Sequence, residues 1–208
     1  MIVVHHLEES RSQRVLWLLE ELDLAYQVKR YPRDPKTRLA PPELKEIHPL
    51  GKSPIVEVDG RVLAESAAII EFFAETHAGG ALAAAPGDAA RADYLFWLHY
   101  AEGSAMLPIM LMLYVGRLGE AGAPLHPRIF SELENHLGFV DRALEGRETF
   151  VGTRFTAADI QMSFVADAAG AGGRLANYPN LARARAANQK RPAYQRALER
   201  GGPYKMGG

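Results

Sequence analysis

Every clear strand signal in this chain falls within its first 64 residues, and beyond Asp88 almost none remains. That asymmetry predicts an α/β unit followed by an all-helical one. Ile2-Val3-Val4 is a short apolar run that reads as a buried strand. Ser10 with Gln13 three residues on matches a capping box, and Val15, Leu16, Leu18, Leu19 and Leu22 then recur at helical spacing. Tyr26 to Tyr31 alternates as a second strand. A strand, helix and strand with the two strands parallel needs a right-handed crossover through the helix. Residues 32–42 are rich in proline and charge and read as loop, with a short helix over 43–47. Pro54 opens the run Ile55-Val56-Glu57-Val58, Asp59-Gly60 signals a tight turn, and Val62-Leu63 returns antiparallel. Ser66 is then placed to cap a helix over 67–76. The predicted order is βαβαββα.

The stretch HAGGALAAAPGD that follows is the predicted boundary between domains at 1–79 and 88–208. Long helical patterns occupy 89–119 and 127–144, and shorter ones begin at Thr156, Asn180 and Pro192. With 208 residues, 48% of them apolar, both units can hold a core.

Charge and composition exclude several classes. The 24 basic residues are interspersed with 25 acidic ones for a net charge of −1, which gives no field to collect nucleic acid or an anionic membrane. No apolar run reaches the roughly 20 residues that span a bilayer, and the start MIVVHHLEESR is unlike a signal peptide, so a cytoplasmic protein is expected. Cysteine is absent. If thiol chemistry occurs, a ligand must bring the sulfur. His5 and His6 would face opposite ways on a strand, and no further cluster completes a metal site.

Within this frame Glu65-Ser66 stands out, a carboxylate and a hydroxyl side by side at a helix start, twelve residues after Ser53-Pro54. From the pair alone, a helix cap with a solvated charge is the simpler account. The wider constellation resembles a cytosolic glutathione transferase over nearly the whole chain. Ser10 and Arg14 are similar to the Ser-x-x-x-Arg element that starts the first helix in serine-type members. Ser53-Pro54 resembles the residue and cis-proline that open the third strand, and Glu65-Ser66 the pair that closes the glutathione site. Thr156-Ala157-Ala158-Asp159 resembles the capping box of the buried helix of the second domain, and YPNLARARAANQKRPAYQRAL the last two helices. HHLEESRSQRVLWLLEEL with IHPLGKSPIVEV is similar to a bacterial and fungal subgroup.

The resemblance implies a thioredoxin-like α/β domain, a helical bundle, a homodimer, and glutathione as co-substrate with no metal. It implies that Ser53 pairs its backbone with the tripeptide, that Ser66 takes the γ-glutamyl carboxylate and Glu65 the ammonium, and that Lys52, with His48 as a lesser candidate, meets the glycine carboxylate. Ser10 would polarise the thiol, with Ser12 its rival and Arg11 adding positive potential. A free thiol has a pKa of about 8.5, and lowering it by two units needs roughly 2.7 kcal/mol of preference for the anion. A small hydrophobic electrophile or hydroperoxide would lie between the domains, against Tyr100 and Ser104 of the long helix. The expected activity is a transferase with peroxidase side activity. The rival is a non-catalytic protein-interaction module on the same fold. A cysteine-dependent reductase of this fold would lack its nucleophile here.

Overall fold

The computed structural model describes residues 1–207. Four strands, β1 (Ile2–Leu7), β2 (Tyr26–Tyr31), β3 (Ile55–Val58) and β4 (Arg61–Ala64), form one sheet in the order β2-β1-β3-β4. β1 and β2 are parallel, and β1–β3 and β3–β4 are antiparallel. The parallel pair is joined by helix α1 (Ser12–Glu21), as a parallel connection requires. Asp59 and Gly60 both have positive φ, the geometry that a two-residue hairpin loop demands. α2 (Leu44–Ile47) and α3 (Ser66–Thr76) complete the predicted βαβαββα order.

The rest is helical: α4 (Arg91–Tyr100), α5 (Met106–Gly116), α6 (His126–Ala143), α7 (Ala157–Ala171), α8 (Pro179–Gln189) and α9 (Pro192–Gly201). α7 lies at the centre and is buried along most of its length. It touches α1, α3, α4 and α8, while α9 packs against α1. One continuous apolar core therefore runs from Val4 and Val56 of the sheet, through Leu16 and Phe73, to Ile160 and Leu137. α7 is started by a true capping box: the Asp159 carboxylate accepts from Thr156 N–H at 2.8 Å and from Phe150 N–H at 2.8 Å.

Three local expectations are corrected. The helical pattern over 89–119 is not one helix, because residues Ala101–Ala105 form a π turn between α4 and α5, with Met106 N–H bonded to Ala101 C=O. Pro108 supplies the cause: it has no N–H for the Ser104 carbonyl, and its ring would collide with that carbonyl in a regular helix. Ser10 and Gln13 do not form a capping box. α1 starts with no side-chain cap, and the Gln13 amide is buried without a partner among the described residues. Ser66 is the first residue of α3 rather than its cap; the cap position belongs to Glu65, which itself has φ +69°.

Candidate active site

A groove of about 280 Å³ opens beside the sheet edge, and His48, Lys52, Ser53, Pro54, Glu65 and Ser66 all line it. The residues that sequence reading singled out across 19 positions of chain are thus brought together. The Ser53–Pro54 peptide is cis. The Ser53 hydroxyl continues the β1–β3 ladder, donating to His5 C=O at 2.9 Å and accepting from Leu7 N–H at 3.2 Å. Its own N–H and C=O have no partner among the described residues, so an extended peptide backbone has a free strand edge to pair with.

Arg14 explains how Ser66 is aimed. This guanidinium is buried, and it donates to Gln161 C=O at 2.6 Å, to Ser66 Oγ at 2.9 Å and to Glu102 at 2.6 Å. Ser66 Oγ also accepts from Gln161 Nε2 at 3.5 Å. Because its oxygen is occupied as an acceptor, its O–H proton is left to donate outward at the start of α3, where an anion is favoured. Glu65 beside it is exposed and holds a backbone conformation that costs a non-glycine residue roughly 1–3 kcal/mol.

Glu102, in the π turn, faces the groove from the helical side. It holds Arg11 through both oxygens, at 2.8 and 2.9 Å, and Arg14 through one. Burial pushes its carboxyl up, but Arg14 and then Arg11 outweigh burial and hold it below the usual carboxylate range. Burial likewise lowers Arg14, against the pull of Glu102. Together these side chains tie α1, α3 and α7 to the helical side of the groove.

Ser10 and Ser12 have different places. Ser12 is fully buried, and its Oγ lies 2.7 Å from Ser10 Oγ, 2.8 Å from His6 Nδ1 and 3.3 Å from Leu7 C=O. Ser10 is also buried, but it lines the neighbouring cavity and Ser12 does not. His6 is buried with its pKa pushed down to about 4, mainly by burial and then by Arg30, while a hydrogen bond to the Gly201 backbone pulls it upward. These partners assign the neutral tautomer with the proton on Nε2 toward Gly201 C=O. Nδ1 then accepts from Ser12 O–H, and Ser12 Oγ accepts from Ser10 O–H. A chain of three hydrogen bonds runs from the end of α9 to Ser10.

A larger cavity of about 680 Å³ adjoins the groove, and Arg11, Lys52 and Ser53 line both. Its floor is apolar, with Met106, Ile109 and Met110 of α5, Leu133 and Leu137 of α6, and Phe164 of α7. Tyr100 and Ser104 are not among its lining residues, contrary to expectation. Tyr100 turns to α6, where its hydroxyl lies 2.6 Å from His136 Nδ1, and the π turn rotates the face on which Ser104 would have lined up with α5.

The model for the N-terminal domain of glutathione S-transferases matches residues 10–76, the span that holds all the groove residues except those from the helical side. Glutathione S-transferase 3 of Schizosaccharomyces pombe is 37% identical over 179 residues, covering 79% of this chain and 72% of its own. The chain belongs to the glutathione S-transferase family. Glutathione S-transferase 1 of Saccharomyces cerevisiae is 34% identical over 186 residues, covering 79% of each chain. A crystal structure of a glutathione S-transferase from Actinobacillus pleuropneumoniae superposes with a TM-score of 0.90 over 99% of this chain and 95% of that one, at 31% identity.

In this glutathione S-transferase family member, sequence reading missed Glu102, His6 and the parts of the larger cavity's floor that α6 and α7 supply. Glu102 is 91 residues from Arg11, and nothing in its local pattern marks it. His6 carried a usable signal: a histidine in an apolar strand must find a partner when buried. Among the described residues no three His, Asp or Glu side chains gather as a metal site, and no helix is long and apolar enough to cross a membrane.

Proposed function

We propose that the chain is a glutathione transferase that binds glutathione in the smaller groove and activates its thiol for attack on an electrophile held in the larger cavity. The observation that carries this reading is the junction: the free backbone edge of Ser53 lies between the two cavities, and Ser10 stands on the side of the second. In this reading the γ-glutamyl carboxylate meets Ser66 O–H and the start of α3, its ammonium lies between Glu65 and Glu102, and the glycine carboxylate is met by Lys52, with His48 beside it. The cysteinyl backbone pairs with Ser53.

The energetics divide the work at the sulfur. Ser10 must turn its proton from Ser12 to the thiolate, which forfeits one neutral hydrogen bond of about 1 kcal/mol and gains a charge-assisted one of about 1.5–3 kcal/mol. The surplus is less than the roughly 2.7 kcal/mol that a two-unit drop in thiol pKa requires. The Arg11 N–H at the head of α1, which has no backbone partner among the described residues, and the positive end of that helix supply the remainder, about 0.3–1 kcal/mol for the dipole alone. The sulfur then forms a bond to the electrophilic carbon as the leaving group departs. Attack on a peroxide oxygen is the corresponding side activity.

The same reading takes the chain as a homodimer. Phe96 and Phe139 form an exposed aromatic pair 6.0 Å apart on α4 and α6, which is apolar surface that a second copy would cover. A protein-interaction module would have no use for a tripeptide groove, and its presence supports the enzyme. The test is conjugation of 1-chloro-2,4-dinitrobenzene, with Ser10→Ala beside wild type. Glutathione-agarose retention should persist in the variant while the kcat/KM profile shifts to higher pH by about one unit. Full activity in the variant would assign the thiolate to backbone donors alone, and absence of glutathione retention by wild type would remove the reading altogether.

A further inference from the structure

The larger cavity is apolar at its floor and strongly basic at its rim. Arg33, Arg38, Arg117 and Arg174 line it, beside Arg11 and Lys52, against a single acid, Glu9. Several of these groups are already engaged. Arg11 is held by Glu102, and Arg33 is spent on the backbone carbonyls of Glu8, Glu9 and Arg38. Glu9 accepts from the N–H groups of Lys205 at 2.7 Å and Met206 at 3.2 Å, so its charge is directed to the C-terminal tail. Three arginines remain. Arg38 has only a loose, exposed contact with Glu8 at 3.4 Å. Among the described residues Arg117 and Arg174 have no carboxylate within ion-pair distance, and they lie against the rings of Tyr114, at 5.8 Å, and Phe130, at 5.5 Å.

A chain whose overall charge is −1 therefore concentrates uncompensated positive charge around one apolar cavity. Low-dielectric walls focus such a field onto whatever enters. Planar guanidinium groups match carboxylates in geometry.

Resting on the transferase reading above, we propose that the second substrate of this cavity is an amphipathic anion, an apolar body of aromatic or long aliphatic character that carries a carboxylate held by Arg117 and Arg174, with Arg38 steering its entry. The apolar floor of α5, α6 and α7 takes the body, and the electrophilic carbon points toward the junction at Ser53 and Ser10. A neutral electrophile of the same size would satisfy the floor and leave the rim unused.

A matched pair of substrates tests this. 4-Chloro-3-nitrobenzoate and 4-chloro-3-nitrobenzamide differ in charge at one end. In both, the glutathione sulfur forms a bond to the ring carbon, chloride leaves with the bonding pair, and the thiol proton goes to solvent. Each kcat/KM is divided by the uncatalysed rate with glutathione to remove the difference in intrinsic reactivity. The corrected acid-to-amide ratio should exceed one. It should fall by about threefold to fivefold in each of Arg117→Gln and Arg174→Gln, as expected for a partly exposed ion pair. Raising salt from about 50 to about 500 mM should lower the ratio in wild type, a readout that needs no variant. A ratio at or below one, or a ratio that neither arginine variant nor salt changes, overturns the proposal while amide turnover leaves the transferase reading standing. Conjugation of 1-chloro-2,4-dinitrobenzene without turnover of either compound overturns the proposal alone, and absence of conjugation of all three overturns both.

Discussion

Replacing His6 by asparagine should remove one proton from the acid unfolding of this protein. His6 titrates at about 4 in the folded chain against 6.5 in its ordinary state, because burial and then Arg30 oppose its positive charge. Between those values the unfolded chain holds a proton that the folded chain does not. The folded state is therefore favoured above pH 6.5 and loses that advantage as the pH falls toward 4, by about 3 kcal/mol in total. The shorter asparagine side chain would place an amide oxygen near the position of Nδ1, so Ser12 keeps an acceptor, but the link to Gly201 is lost. We expect a variant less stable than wild type by about 1–2 kcal/mol at pH 7.5, for one buried hydrogen bond and imperfect packing. At pH 4.5 the order should close or reverse. The assay is urea unfolding from pH 4.5 to 7.5 at one protein concentration, with the difference between the two proteins plotted against pH. Asp159, whose carboxyl burial raises to about 6, acts in the opposite sense, stabilising the fold on acidification below pH 6, but it is common to both proteins and cancels. Parallel curves would show that His6 does not carry this linkage, and with it would go the neutral tautomer that orders the chain from Gly201 to Ser10.

Three further outcomes are expected. Glu102→Gln leaves the buried Arg14 charge without its counter-ion; it should cost about 3 kcal/mol, or about 6–12 °C in Tm for a chain of this length, and an Arg14→Met, Glu102→Gln double variant should recover part of that loss. Full additivity of the two substitutions in calorimetry would contradict it. Glu65→Gly relieves a positive φ and should raise stability by up to about 1 kcal/mol while weakening retention on glutathione-agarose; lower stability would show that the conformation is not strained. Asp159→Ala strands the N–H groups of Phe150 and Thr156 and should cost about 2–4 kcal/mol with glutathione affinity measured by calorimetry scarcely changed; an unaltered melting temperature would refute the structural assignment.

Much of the fold was legible in order. The alternation of β2, the Asp59-Gly60 turn and the helical spacing in α1 are local patterns, and a local pattern is enough wherever neighbours in sequence are neighbours in space. The same holds for the Thr156–Asp159 capping box. It fails where a short pattern has two physical uses. Ser10 with Gln13 looks like a cap, yet Ser10 faces a cavity and its partner is Ser12. The long pattern over 89–119 is helical almost throughout, and Pro108 alone carried the information that its ladder must widen.

What this sequence determined by itself was most of the elements, their order, and the presence of the Ser53-Pro54 and Glu65-Ser66 pairs, because backbone preference and hydrophobic period act over a few residues. Tertiary structure alone decided which of those side chains work together. Arg14 reaches Ser66, Glu102 and Gln161 across separations of 52, 88 and 147 residues. His6 reaches the end of α9, and the larger cavity collects its walls from widely separated stretches of chain. Such contacts depend on how packed elements are oriented in three dimensions, and no spacing in one dimension encodes that.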